Sequence, residues 1–170
     1  MRKSSITIFL TLVCLAIPLF AVTDTFTVST TVADVGKIKV SSDLSVAATE
    51  RAFEALGSFT NLSITTAGEQ EFSAYVSTLS NSRTGYTVSM KANAMRSDDS
   101  YIDYTITVNS VAVTTKGATP ATEATIVTAP SLAIMETHSH AITLSVDPTS
   151  LGAALSGAYT GTVTFTYAAT

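Results

Sequence analysis

No tryptophan, one cysteine and two histidines leave this chain short of the side chains on which most catalytic and metal centres are built. Charge is scarce as well: 13% of 170 residues, nine basic against 13 acidic, for a net charge of −4. That balance excludes the clustered basic footprint of a nucleic-acid binder. Low charge alongside 46% hydrophobic residues also excludes a disordered chain, because there is enough apolar surface to fold around. The length predicts a single domain with a real core.

The one cysteine, Cys14, lies in a stretch with a basic start (Arg2, Lys3), an apolar run from Ile6 to Phe20 and a small residue, Ala21. That order is the order of a secretory signal peptide, with cleavage expected after Ala21, and the run is short for a membrane span. A retained N-terminal anchor is the alternative reading of 1–21. Cys14 has no lipobox-like surroundings, so lipidation is not expected. Cleavage removes two basic residues and no acidic one, making the exported chain more acidic. It also leaves that chain without cysteine, hence without disulfides, and with no stable membrane insertion.

What is abundant is hydroxyl. From Val22 onward roughly a third of the residues are Ser or Thr, alternating with Val, Ile, Phe and Tyr. Period-two alternation predicts half-buried strands. The clearest is at the end, where Tyr159, Gly161, Val163, Phe165 and Tyr167 share one parity and Thr160, Thr162, Thr164 and Thr166 the other. Others are Tyr86–Ala92, Ile102–Val108 and Ala141–Val146. Further strands are expected at Phe26–Val32, Gly36–Val40, Phe59–Ile64, Phe72–Leu79, Val111–Thr115, Thr125–Val127 and Leu132–Met135. Turn signals separate them, among them Ser97-Asp98-Asp99, Asn109-Ser110, Asp147-Pro148 and Ser156-Gly157. This spacing predicts an all-β antiparallel sandwich, with a short helix within Ala47–Leu56, where good helix formers end before Gly57. No linker divides 34–170, so it reads as one β-sandwich domain.

Chemistry-bearing constellations are few. Glu136, His138 and His140 alternate, so a strand would present all three on one face, where they form a weak metal candidate without a fourth ligand. Asp98, Asp99 and Asp103 lack the spacing of a calcium loop and read as a solvated turn. No Gly-x-Ser-x-Gly elbow is present, and no catalytic residue or cofactor is assigned. Asn61-Leu62-Ser63 matches a glycosylation acceptor, which matters only in a host that glycosylates secreted chains.

The segment Phe26-Thr27-Val28-Ser29-Thr30-Thr31-Val32 puts Phe26, Val28, Thr30 and Val32 on one face, close behind the expected cut. Together with Gly157-Ala158-Tyr159-Thr160-Gly161-Thr162-Val163-Thr164-Phe165-Thr166-Tyr167, and with Glu69–Val76, it resembles chaperone–usher pilins, closest to the alternate (class 5, colonisation-factor) branch. The stretch Leu44–Leu56 departs from that pattern. The resemblance implies an immunoglobulin-like sandwich lacking one strand and a non-enzymatic role as a fimbrial subunit at the cell surface. It further implies a homopolymer of identical subunits, served by a periplasmic chaperone and an outer-membrane usher. Residues 22–33 would hold the donor strand (Phe26, Val28, Thr30, Val32). Tyr159, Gly161, Val163, Phe165 and Tyr167 would line the edge of the acceptor groove. The competing expectation is a self-complete secreted adhesion module that recognises carbohydrate or a host surface.

Overall fold

Alternation of apolar and hydroxyl side chains is realised as two antiparallel sheets packed face to face in the computed structural model, which describes residues 27–44 and 46–170. The elements are β1 (Gly36–Ser41), α1 (Glu50–Glu54), β2 (Gly68–Glu69), β3 (Tyr75–Ser80), β4 (Tyr86–Ala92), β5 (Met95–Ser97) and β6 (Ser100–Ile102). They continue with β7 (Tyr104–Val108), β8 (Val111–Thr114), β9 (Ala124–Ala129), β10 (Glu136–Val146), α2 (Pro148–Ala153) and β11 (Val163–Ala169). The first sheet has the order β1-β3-β10-β7-β8, with β2 also on β10; the second is β11-β4-β9; β5 and β6 form a separate pair. No described helix is long and apolar enough to cross a membrane.

The inner faces supply one core. Tyr86, Val88, Met90 and Ala92 alternate inward from β4 at no more than 1% exposure, meeting Ile106 and Val108 of β7 and Ile142, Leu144 and Val146 of β10. The hairpin β7–β8 turns on Asn109 and Ser110, both at positive φ (49° and 65°), the conformation a two-residue hairpin turn demands. On the outer face of the first sheet, α1 is capped by the Thr49 hydroxyl, which accepts from the Ala52 amide. It buries Phe53 at 3% exposure. Lys37 of β1 bridges Glu50 at 2.8 Å and Glu54 at 2.5 Å; these hydrogen bonds raise the Lys37 pKa and lower that of Glu54.

Several expectations are corrected. Phe59–Ile64 and Leu132–Met135 form no strand: each has the composition, but among the described residues only Phe59 and Leu132 carry backbone bonds, to Val40 and Ser82. Asp147-Pro148, expected as a turn, opens α2. The Asp147 carboxylate accepts from the Thr149 and Ser150 amides, and Pro148 needs no donor at a helix start. The Ser150 amide is the main reason the Asp147 carboxyl sits below its usual range. Strand β10 runs eleven residues, well beyond Ala141–Val146. The run Ile102–Val108 breaks at Asp103, whose carboxylate instead accepts from the Gly117 amide at 2.7 Å.

The chain divides into two compact units after Val32, with Ala33–Thr170 as one of them. Phe26 and everything before it, including the expected leader, lie outside the described residues. Residues 27–32 are not a strand within their own chain, contrary to the expectation for Phe26–Val32. Among the described residues they have no ladder partner, and a strand does not persist without one.

The two sheets are fastened together at one end. The Tyr167 ring stacks on Tyr86 (centroids 5.0 Å apart) and its hydroxyl bonds Ser80 Oγ at 2.9 Å. Gly36 of β1 lies so close that an added Cβ would meet that ring at 2.5 Å. Because the ring is held at both its face and its hydroxyl, it cannot swing aside cheaply. Gly36→Ala is therefore expected to cost about 1–3 kcal/mol in chemical denaturation. Gly57→Ala, where the nearest atom would be Ser42 Oγ at 3.5 Å, should change stability little.

Candidate functional site

Away from Tyr167 the sheets part. Strand β11 bonds β4 along all seven of its residues, Val163↔Ala92 through Ala169↔Tyr86. Among the described residues nothing pairs its other edge. The inward side chains of β11 show the consequence: Val163 and Phe165 remain half-buried, although their ladder partners Ala92 and Met90 are sealed. Sandwich cores do not normally stop at a half-buried phenylalanine. Here the core continues into a groove of about 970 Å³.

Val163 and Phe165 form one wall of that groove. The inner face of the first sheet forms its floor through Ile106, Ile142 and Leu144. Phe59, Leu62 and Ile64 line the opposite side, with Phe72 packed on Phe59 at 5.7 Å. Leu151 and Leu155, on and after α2, border it, and Leu155 is 75% exposed. None of the 25 lining residues is charged and none is histidine. The only ionisable side chains are Tyr104, whose phenol is pushed up to about 12 by burial while donating to the Asn93 carbonyl at 2.8 Å, and Tyr159. Tyr159 is held within hydrogen-bond distance of Ser100 Oγ and the Leu155 carbonyl. Such a lining offers no general acid or base for work near neutral pH. It suits a guest that brings apolar side chains and backbone.

The residues expected at the groove edge divide into two groups. Val163, Phe165 and Tyr167 lie inward on β11 and Thr164 and Thr166 outward, as their alternation predicts. Tyr159 and Gly161 precede the strand and follow its course through Thr160, which bridges Arg96, and Thr162, whose carbonyl accepts from the Asn93 amide. Gly161 passes so close to β5 that a Cβ would meet Met95 Cγ at 3.0 Å and the Asn93 carbonyl at 3.1 Å. Of the expected donor residues, Phe26 is outside the described residues. Val28, Thr30 and Val32 are exposed, the two valines at 80% and 76%. Asn81 ties the start of the sandwich, its side chain accepting from the Val35 amide at 2.6 Å and donating to the Ala33 carbonyl at 2.9 Å. Phe59, Leu62, Phe72, Leu151 and Leu155 are not among the expected site residues; the strand-like composition of Phe59–Ile64 was the available signal.

Glu136, His138 and His140 do share the inward-facing parity of β10. Glu136 and His138 approach to 3.2 Å, but among the described residues no three His, Cys, Asp or Glu side chains converge on a metal position. His140, half-buried, has a pKa lowered from 6.5, first by desolvation and then by His138. The fold thus favours neutral His140, and the unfolded chain takes up its proton first. The stability this contributes is complete above the ordinary histidine pKa and is lost as pH falls below it. Glu54 and Asp147, both depressed, lose their share only in the more acid carboxylate range. Unfolding midpoints should therefore fall between pH 7.5 and 5, and His140→Gln should flatten that segment of the profile.

No family model matches the chain, and no curated protein or solved structure is significantly similar to it.

Proposed function

We propose that the protein is a structural subunit of an extracellular fibre, in which the segment Phe26–Val32 of one copy is seated in the groove of the next. The observation that carries this reading is the state of β11: an open edge whose inward Val163 and Phe165 are half-buried over an uncharged groove. An exposed strand edge over apolar side chains is an aggregation hazard unless another strand covers it. The segment matches it in length, since seven extended residues span roughly 23 Å, as does seven-residue β11. It also matches in chemistry, with three apolar side chains and Thr30 on one parity. Strand addition supplies affinity through main-chain bonds and specificity through alternate side chains. Repeated head-to-tail, the contact is heterologous and open, the symmetry of a filament. The immunoglobulin-like order of strands, and a chaperone that lends a strand during export to the surface, belong to this proposal.

Negative-stain microscopy and size exclusion test it. The exported protein should form thin fibres, and the same chain without residues 22–32 should stay monomeric. A synthetic peptide of residues 25–33 should bind that truncated chain, and Phe165→Ser should weaken the binding about 10- to 100-fold, the equivalent of one large apolar side chain. Unchanged fibres from the truncated chain would overturn the reading. A monomer that ignores the peptide would favour the secreted adhesion module.

A further inference from the structure

The wall of the groove lined by Phe59, Leu62 and Ile64 is not built from a strand. Residues 59–64 run without secondary structure, yet from Asn61 to Ile64 their burial alternates: Leu62 and Ile64 are half-buried against the core while Asn61 and Ser63 are exposed, and Phe59, on the other parity, is half-buried as well. The run begins as a strand. Ser58 forms an antiparallel bridge with Ser41 at the end of β1, and the Phe59 amide donates to the Val40 carbonyl at 3.0 Å. There the ladder stops. Among the described residues no backbone hydrogen bond reaches residues 60–65, and the chain is next tied at Gly68–Glu69, which pairs with Val146 and Ser145. Here, then, is a ribbon with side chains set for a sheet and with its main-chain groups left to water.

We infer that residues 59–64 are a pairing edge in waiting: a strap that becomes a strand when the groove is filled, so that the guest is bonded on both sides, by β11 and by the strap. The inference rests on the fibre reading and names the second partner of the same site. Phe59, Leu62 and Ile64 line the same groove as Val163 and Phe165, so a ribbon lying in it meets both walls. Seating that ribbon excludes water from the strap's inner amides and carbonyls, and buried backbone groups do not stay unpaired. The only main-chain partners a filled groove adds are those of the guest itself. In the empty state the same groups are hydrated, so the strap has no reason to be a strand.

The test uses the full exported chain. Hydrogen exchange is compared between its monomeric and fibrous fractions. Amides of residues 60–65 are expected to exchange fast in the monomer, and alternate ones, those on the guest's side, to gain at least tenfold protection in fibres, together with the β11 amides that do not face β4. Protection gained along β11 but not along 60–65 overturns the strap and leaves the fibre reading standing. Protection gained by neither overturns both. Proline supplies a second readout, because it deletes an amide donor, and none of these amides is used in the monomer. Neighbouring N–H groups of an extended ribbon point to opposite sides, so only one of Thr60→Pro and Asn61→Pro removes a bond to the guest. One of the pair should speed fibre dissociation at least tenfold and the other should not, with monomer unfolding midpoints alike. Equal effects from both, or no effect from either, overturn the strap.

Discussion

Tyr167 fastens the two sheets at one end only, and the open groove follows from that asymmetry. Its ring is held by Tyr86 beneath, by Ser80 at the hydroxyl and by the bare backbone of Gly36 alongside. At this point β1 and β11, edge strands of different sheets, are locked in place without sharing a ladder. Toward Val40 and Val163 no such contact holds them: among the described residues the outer edge of β1 is bonded at this end only by Ser58 and Phe59, and nothing pairs the outer edge of β11. On the far side of the sandwich the Asn109 side chain donates to the Ile126 carbonyl, linking the β7–β8 turn to β9. One margin is laced and the other is laced at a single end, which leaves a slot as long as a strand.

In the proposed assembly the energetics of that slot favour two pairing edges over one. Fixing the seven residues of Phe26–Val32 costs roughly 7–14 kcal/mol of backbone entropy. Burying Phe26, Val28 and Val32 returns roughly 4.5–9 kcal/mol. A ladder along one edge adds three or four main-chain bonds, together about 2–5 kcal/mol net. Those terms come close to cancelling before the cost of bringing two molecules together is counted. A second ladder along residues 60–64 contributes about as much as the first, enough to tip a marginal association into a stable one. The strap and the edge of β11 are therefore parts of one device, each insufficient alone.

The fold was legible where alternation and its partners lie in the same chain. Tyr86–Ala92 reads as a buried strand and is one, because β4 has neighbours on both edges. Phe59–Ile64 has the composition of a strand but sets Phe59 on the opposite parity to Leu62 and Ile64, and it is not a strand: composition does not record whether a neighbouring edge is in reach. The same limit applies at Phe26–Val32. The polar half of β10, Glu136–His140, was hidden for the opposite reason: it pairs fully with β3 although its inward side chains are not apolar. At α2 the signals were present but ambiguous, since Asp-Pro opens turns and helices alike, and two amides accepted by one carboxylate decided it. The inward parity of Val163, Phe165 and Tyr167 could be read from the sequence. That nothing covers them could not, since a half-buried inward phenylalanine and a sealed one have the same pattern.

In the proposed fibre, the uncharged groove also limits what can select its guest. With no fixed charge among the lining residues, attraction at a distance gives no preference for one ribbon over another, and discrimination falls to parity. In Phe26–Val32 the opposite parity is Thr27, Ser29 and Thr31, every one carrying a hydroxyl. A slip of one residue turns all three inward and the apolar side chains outward. Each buried hydroxyl without a partner then costs about 1–3 kcal/mol, on top of the apolar burial forgone. The groove's own Ser and Thr hydroxyls, those of Thr60, Ser63, Ser156 and Thr160, belong to exposed residues, and the phenols of Tyr104 and Tyr159 already have partners in Asn93, Ser100 and Leu155, so none is well placed to satisfy three buried ones. A one-residue slip is thus opposed several times over, and register is set by the absence of polar partners inside the slot as much as by the apolar contacts it makes.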